Sequence, residues 1–238
     1  MASPSIALIV SAEHASNARP PEFVACGVSP EVWDTHAAWD PGAREVATHL
    51  AGRFGAPLFL GRFTRLYVDL NRSPVSAECV PARAFGVDVP LNRELSPAAV
   101  AQRIADHHRP YWDGVRDAVR QALDRGQGAL HVSVHSFVEV YDGRHRPVDL
   151  GVLIDPDHAY EKRLADQLHA GLASTGLLVR ENEPYDGRAD ALTTALRKEL
   201  GGSDYAGIEI EINQRHLGRI DEIAALVERS VDAVLKGS

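Results

Sequence analysis

The chain has 238 residues, of which 45% are hydrophobic and 24% charged, and its formal net charge is −8. This length and mixture predict a single compact domain over residues 1–238. The acidic balance, without a basic stripe, argues against nucleic acid or a membrane surface as a partner. Cys26 and Cys79 are far apart and form no CxxC pattern, which argues against a thiolate metal site. The apolar stretch at residues 6–10 is too short for a transmembrane span or a signal peptide, so we expect a cytoplasmic protein.

Short β-branched runs alternate with longer stretches of helical period along the chain. This pattern predicts an α/β fold with a mixed, mostly parallel twisted sheet flanked by helices. The predicted strands cover residues 5–11, 57–61, 64–70, 129–135, 149–155, 176–180 and 206–212. The predicted helices cover residues 42–54, 97–125, 157–174, 189–200 and 219–236, and Pro110 is expected to kink or split the second of them.

Two histidines each follow a short apolar run, one at the end of Ile6-Ala-Leu-Ile-Val-Ser-Ala-Glu-His14 and one at the end of Ala129-Leu-His-Val-Ser-Val-His135. In an open α/β sheet, ligands and catalytic groups gather at the carboxyl ends of the strands. Local packing would explain either histidine taken alone. Two histidines with the same placement, together with one carboxylate, are a common set of catalytic zinc ligands, in which water takes the fourth coordination position. The pair therefore indicates a catalytic zinc site.

The carboxylate that completes this site has more than one candidate. Glu13 adjoins His14, but neighbouring side chains on a strand point to opposite faces, so both can bind only if the backbone turns there. Asp34 is an equal candidate, with His36 and Asp40 shortly after it. Asp40 directly precedes a Pro-Gly pair, which suits a turn or a helix cap. We therefore favour Asp34 over Asp40 as the ligand and keep Glu13 as the alternative.

The run Gly207-Ile-Glu209-Ile-Glu211-Ile-Asn213 predicts a strand with both glutamates on one face. Such glutamates could simply face water. A buried glutamate beside a zinc site can instead act as a general base and then as an acid toward the leaving amine.

The segment from Arg65 to Arg72 also alternates, so Arg65, Tyr67, Asp69 and Asn71 are expected to share one face of a strand. Arg72 would then begin a loop. Arginine binds carboxylates well because its planar fork donates two parallel hydrogen bonds. The alternative is a surface ion pair between Arg65 and Asp69, which would contribute little.

Seven short motifs, taken together and in this order, resemble the N-formylglutamate amidohydrolase family, which is related in fold to the zinc carboxypeptidases and to the aspartoacylase and succinylglutamate desuccinylase group. The resemblance covers nearly the whole chain. The motifs are Ser11-Ala-Glu-His-Ala-Ser-Asn17, Asp34-Thr-His-Ala-Ala-Trp-Asp-Pro-Gly-Ala43, Phe63-Thr-Arg-Leu-Tyr-Val-Asp-Leu-Asn-Arg72, His135-Ser-Phe137, Asp149-Leu-Gly-Val-Leu153, Asn182-Glu-Pro-Tyr-Asp-Gly187 and Glu211-Ile-Asn-Gln214.

The resemblance implies that His14 and His135 bind one zinc ion per chain and that Glu211 is the base that promotes attack by water. It also implies that Asn71 and Arg72 hold the carboxylate of the substrate, and we expect Arg65 or Arg146 to help neutralise it. The chain departs from the His-x-x-Glu motif of carboxypeptidase-like enzymes, because His14-Ala-Ser-Asn stands there. The choice of Glu13 or Asp34 as a metal ligand therefore stays open.

The histidines, carboxylates and arginines predict a zinc-dependent hydrolase of a small anionic amide, and the resemblance implies that it removes an N-acyl group, such as formyl, from an acidic amino acid such as glutamate. One alternative is an amidase with the same zinc chemistry acting on a peptide or a cell-wall substrate. A closed pocket lined by two arginines would favour the small anionic substrate, and an open groove would favour the peptide. Another alternative is a non-catalytic binder of an acidic metabolite. A monomer and a homodimer are both compatible with the sequence.

Overall fold

The computed structural model describes residues 5–200, 202 and 204–237. The strands are β1 (Ile6–Ala12), β2 (Leu58–Leu60), β3 (Arg83–Ala84), β4 (Val87–Asp88), β5 (Gly128–Phe137), β6 (Val140–Tyr141), β7 (Arg144–His145), β8 (Leu150–Leu153), β9 (Val179–Glu181) and β10 (Tyr205–Asn213). The α-helices are α1 (Ala43–Phe54), α2 (Pro90–Arg93), α3 (Pro97–Arg103), α4 (Arg109–Asp124), α5 (Ala159–Ala173), α6 (Leu192–Leu200) and α7 (Ile220–Lys236). Short 3₁₀ helices cover Pro21–Phe23, Pro30–Val32 and Gln214–Arg219.

Six strands form one sheet in the order β2-β1-β5-β10-β8-β9. In this order the first four strands, β2, β1, β5 and β10, pair in parallel. Strand β8 runs antiparallel to β10, and β9 is parallel to β8. Every residue of β5 and β10 is buried, as expected for central strands covered on both faces. The predicted fold class, a mixed and mostly parallel sheet flanked by helices, is confirmed.

The helices cover the two faces of the sheet with different chemistry beneath them. On one face, α1, α5 and α7 pack on alternate residues of the central strands, and the buried residues of this cluster, such as Val132 and Ile210, are aliphatic. On the other face, α4 and α6 cover a smaller apolar cluster near the amino ends of the strands. Because side chains alternate along a strand, His135 and Glu211 belong to this second face. The functional candidates therefore lie under α4 and α6, at the carboxyl ends of the strands.

The strand predicted at residues 64–70 is wrong. These residues form successive turns, in which the Tyr67 amide donates to the Thr64 carbonyl at 3.0 Å and the Asp69 amide donates to the Cys79 carbonyl at 2.7 Å. The alternation arises because Leu66, Val68 and other apolar residues of this segment fill a separate core under the long loops. The expectation that Arg65, Tyr67, Asp69 and Asn71 share a strand face fails for the same reason.

The long helix predicted at residues 97–125 is divided. A π-helical turn at Ile104–His108 separates α3 from α4. Pro110 is the second residue of α4, directly after this turn, and has no amide hydrogen to donate back into it. The other predicted helices and strands are present with ends shifted by a few residues. Among the residues described above, no helix is long and apolar enough to cross a bilayer.

Candidate active site

Three neighbouring parallel strands deliver the functional side chains to one edge of the sheet. His14 follows β1 by two residues, His135 lies near the end of β5, and Glu211 lies beside it in register on β10. Asp40 arrives from the loop before α1 and is tied to this edge, because its amide donates to the His14 carbonyl at 2.9 Å. All four residues are buried.

His14, His135 and Asp40 form the centre of the site. The Nδ1 atoms of His14 and His135 lie 3.2 Å and 3.0 Å from one oxygen, Asp40 Oδ2. One potential ligand atom from each of the three residues falls within 4.8 Å of the others. Two imidazole nitrogens and a carboxylate oxygen are a donor set that zinc accepts.

A second carboxylate lies behind each of these histidines. His14 Nε2 is 2.7 Å from Asp69 Oδ1, and His135 Nε2 is 3.1 Å from Glu13 Oε2. Glu13 is held in turn by the hydroxyl of Ser133, at 2.5 Å. A carboxylate that accepts from Nε2–H leaves the Nδ1 lone pair for a metal and fixes the orientation of the ring.

The electrostatics of the two histidines differ. Burial and the nearby Arg65 guanidinium lower the pKa of His14 to about 4, so this ring is neutral. Burial opposes protonation of His135 too, but the hydrogen bond and charge of Glu13, with the charges of Glu209 and Glu211, raise its pKa to about 9. The field around His135 therefore favours a positive charge, whether a proton or a metal ion.

The second oxygen of Asp40 is fixed by two cationic or polar partners. Arg65 donates from Nη2 to Asp40 Oδ1, and His36 Nδ1 lies 3.0 Å from the same oxygen. Gln214 Nε2 approaches His36 Nδ1 at 3.2 Å. These contacts hold the carboxylate so that Oδ2 faces His14 and His135.

Glu209 and Glu211 share a face of β10, as predicted, yet their surroundings differ. Glu209 Oε1 accepts a hydrogen bond from the Thr193 hydroxyl at 2.6 Å. Glu211 Oε2 has no hydrogen-bond partner within the described part of the chain, although it is buried. Burial raises the pKa of Glu211 to about 7, with His135 opposing the shift. A buried carboxylate with one free oxygen and a pKa near neutrality suits proton transfer.

Arg65 and Arg72 line the cavity next to these groups, together with Glu211 and Tyr185. Arg65 Nε, also buried, has no hydrogen-bond partner among residues 5–200, 202 and 204–237. Arg72 is anchored by Glu78 at 2.8 Å and by the Asp190 carbonyl at 3.0 Å. The cavity has a volume of about 190 Å³, below the roughly 300–1,000 Å³ of sites for drug-sized ligands.

A model of the N-formylglutamate amidohydrolase family matches residues 6–217, most of the chain. The chain belongs to this family. It is 34% identical to a gene product of Agrobacterium tumefaciens, with a TM-score of 0.84 over 96% of this chain and 89% of the other. The N-formylglutamate amidohydrolase of Ralstonia eutropha has the same fold, with 20% identity and a TM-score of 0.71 over 99% and 96% of the two chains. A search of curated proteins finds no match. Because the chain belongs to the N-formylglutamate amidohydrolase family, it is an amidohydrolase.

The structure brings His14 and His135 of this amidohydrolase together, and the carboxylate beside them belongs to Asp40. Asp34 lies outside the cluster: its side chain is exposed and accepts from Asn17 Nδ2 at 3.3 Å. Glu13 is buried behind His135. Asp40, which was expected to serve a turn, occupies the third position of the cluster.

The sequence could not distinguish Asp40 from Asp34, because Asp40 both begins a turn and lies beside the histidines. Its backbone carbonyl accepts from the Ala43 amide at 3.2 Å, as a residue that begins a turn does, and its side chain reaches the histidines. Asp69 was also missed as a partner of His14, since the only contact considered for it was the alternative of a surface ion pair with Arg65.

The predicted substrate-binding residues occupy unequal positions. Asn71 Nδ2 lies 3.4 Å from His135 Nε2, and Asn71 Oδ1 accepts from the Leu192 amide at 3.1 Å, so Asn71 joins the site to α6. Arg146 is not among the residues that line the cavity. It donates to the hydroxyl of Tyr185, which does line it, at 3.0 Å, and stacks on Tyr141.

Proposed function

We propose that this amidohydrolase uses zinc to remove the formyl group from an N-formyl acidic amino acid such as N-formylglutamate. The observation that supports the proposal best is the convergence of His14 Nδ1 and His135 Nδ1 on Asp40 Oδ2, beside the unpartnered oxygen of Glu211. The activity named for the Ralstonia eutropha relative points the same way.

The residues present fit a zinc ion. His14, His135 and Asp40 would hold it, and Asp69 and Glu13 would keep the two imidazoles in the tautomer that offers Nδ1. Three protein ligands are the number found in catalytic zinc sites, which keep a further position for water or substrate. A zinc ion bound there would polarise the amide carbonyl and lower the pKa of a water molecule.

Glu211 is proposed as the proton carrier of the reaction. Its free Oε2 takes a proton from the attacking water as the new C–O bond forms, and the same oxygen returns the proton to the amine nitrogen as the C–N bond breaks. The products are formate and the free amino acid. Glu209 is less suited to this role, because Thr193 already occupies one of its oxygens.

The side chains around the cavity support a small anionic substrate. Arg72 would pair with the α-carboxylate through Nη2, since its Nε binds Glu78 and its Nη1 binds the Asn71 and Asp190 carbonyls. Arg65 would offer its unpartnered Nε to a second carboxylate. Anchoring the substrate at two points makes the attack effectively intramolecular. The cavity volume of about 190 Å³ favours a single amino acid derivative over a peptide. The unpartnered Glu211 carboxylate favours catalysis over binding alone.

The test combines elemental analysis of the purified protein with a formate-release assay on N-formylglutamate, with and without a chelator. About one zinc per chain and chelator-sensitive release are the expected results. Zinc without formate release would contradict the proposed substrate. A protein that takes up no metal from a zinc-supplemented buffer would contradict the metal assignment.

A further inference from the structure

Two tight hairpins have the same turn geometry but different residues at the turn. In the first, Ala84 pairs with Val87, so Phe85 and Gly86 form a two-residue turn. In the second, Tyr141 pairs with Arg144 around Asp142 and Gly143. Both central residues have positive φ in each turn, 51° and 79° in the first and 50° and 70° in the second. Positive φ at both positions is the mark of a type I′ turn.

Phe85 is a poor choice for this backbone. Type I′ turns prefer Asn, Asp or Gly at the first central position, and Asp142 of the second hairpin follows that preference. A bulky aromatic residue with positive φ is a conformational outlier. Such strain persists where the surrounding structure holds the residue in place, and it gathers at functional sites. The ring of Phe85, and not its backbone, must therefore account for its presence.

The ring lies over the groups that fix Asp40. Its centroid is 5.1 Å from the ring of His36 and 5.1 Å from the guanidinium carbon of Arg65. On the other side it meets the ring of Tyr141 edge to face, at 6.4 Å. Phe85 thus joins the two hairpin tips above the catalytic centre.

The same ring stands between two spaces. The catalytic cavity lies on one side, and a cleft of about 220 Å³ lies on the other, lined by Glu78, Arg83 and Tyr141 among others. Phe85 and Arg72 line both spaces. Arg83 has a largely exposed side chain and pairs with Asp88 at 3.7 Å, so its guanidinium is accessible to an anion in the cleft.

We propose that Phe85 is a specificity-determining residue, whose ring closes the catalytic cavity toward this cleft and thereby restricts the enzyme to single N-acyl amino acids. The inference rests on the proposed function, since Arg72 is there the partner of the α-carboxylate. A substrate extended by one residue from that carboxylate would run from Arg72 into the cleft and bring its terminal carboxylate toward Arg83. The Phe85 ring occupies that path.

The test compares kcat/KM for N-formylglutamate and for the dipeptide N-formylglutamylglutamate. Phe85→Asn and Phe85→Gly remove the ring and keep residues that suit positive φ. We expect the dipeptide-to-amino-acid ratio of kcat/KM to rise about tenfold in both variants, or about 1.4 kcal/mol. Phe85→Tyr keeps the ring and should keep the wild-type ratio. An unchanged ratio in Phe85→Asn and Phe85→Gly would overturn the proposal.

Thermal unfolding identifies a purely structural role of the ring. Because both replacements relieve the backbone, Tm should stay at or above the wild-type value. A lower Tm with equal losses on both substrates would mean that the ring only packs over Asp40, and would overturn the proposal. Failure of the proposed function would look different, as wild-type enzyme without formate release. In that case calorimetry would measure the Kd of glutamylglutamate and the Kd of glutamate for wild-type enzyme and for Phe85→Gly. The ratio of the first Kd to the second should fall in Phe85→Gly. An unchanged ratio would contradict the proposal.

Discussion

The two faces of the central strands are equally buried but are held together in different ways. Toward α1, α5 and α7, strand β10 presents Ile208, Ile210 and Ile212 to a continuous aliphatic core. Toward the opposite face the same strand presents Glu209 and Glu211. On the aliphatic face each side chain contributes through the area it buries. On the polar face the two glutamates differ in their partners, because Thr193 binds Glu209 whereas Glu211 Oε2 has no partner in the described part of the chain. The pattern of partners, and not burial alone, therefore indicates function.

The largest effect should come from the polar face, at Glu211. We expect Glu211→Gln to lower kcat about 10²–10⁴-fold while the metal content stays unchanged, because the amide cannot accept the proton. Glu209→Gln is the matched control on the same strand and face, and it should lose less, since Thr193 already binds that carboxylate. Steady-state kinetics with elemental analysis measures both. Equal losses in the two variants would contradict the assignment of the base.

Ile210, between the two glutamates, should behave in the opposite way. We expect Ile210→Ala to destabilise the fold by about 2–5 kcal/mol, because it leaves a cavity in the aliphatic core. The kcat per folded molecule should stay close to wild type. Urea unfolding and kinetics below the transition measure the two effects. If Ile210→Ala had unchanged stability but no activity, the proposed difference between the two faces would be contradicted.

Arg72, at the rim of the polar face, should affect substrate binding and spare the metal. We expect Arg72→Ala to raise KM for N-formylglutamate about tenfold to a hundredfold, the effect of losing a charged hydrogen bond of about 1.5–3 kcal/mol. Arg83→Ala, in the neighbouring cleft, is the control and should leave KM unchanged. If KM rises in Arg83→Ala and not in Arg72→Ala, the carboxylate is bound elsewhere.

The smallest effect on turnover is expected at Cys79, in the apolar core under the loops. Burial and the charges of Asp69 and Asp190 raise the pKa of its thiol to about 12. At about pH 8 the thiolate fraction is then roughly a thousandfold below that of an unperturbed cysteine, so alkylation should be very slow. Mass spectrometry of iodoacetamide-treated native protein should find Cys79 unmodified and activity retained, whereas unfolded protein reacts. Rapid native labelling would contradict this environment.

The same contrast explains what the sequence could predict. The alternation of Ile208, Ile210 and Ile212 predicts β10 correctly, because a face that packs by area leaves a periodic signal. The periodic segment from Arg65 to Arg72 misleads, since its apolar residues fill a loop core without strand pairing. A periodic pattern indicates which residues are buried, but it does not indicate which hydrogen-bond partners they have.

The carboxylates of the site show most clearly what the sequence could not predict. His14 and His135 could be placed from the ends of their strands, and the two glutamates of β10 from their spacing. Asp40, Asp34 and Asp69 come from loops, where no periodic pattern fixes direction. Their roles depend on long-range contacts, such as the 2.9 Å bond from the Asp40 amide to the His14 carbonyl, which no local pattern encodes.

The most direct test of the central claim, that Asp40 completes the metal site with His14 and His135, is the zinc affinity of Asp40→Asn and Asp34→Asn measured side by side. We expect Asp40→Asn to bind zinc at least about tenfold more weakly, or about 1.4 kcal/mol, and Asp34→Asn to bind like the wild type. Circular dichroism confirms that both variants are folded. Weakened binding in Asp34→Asn, with Asp40→Asn unchanged, would contradict the claim.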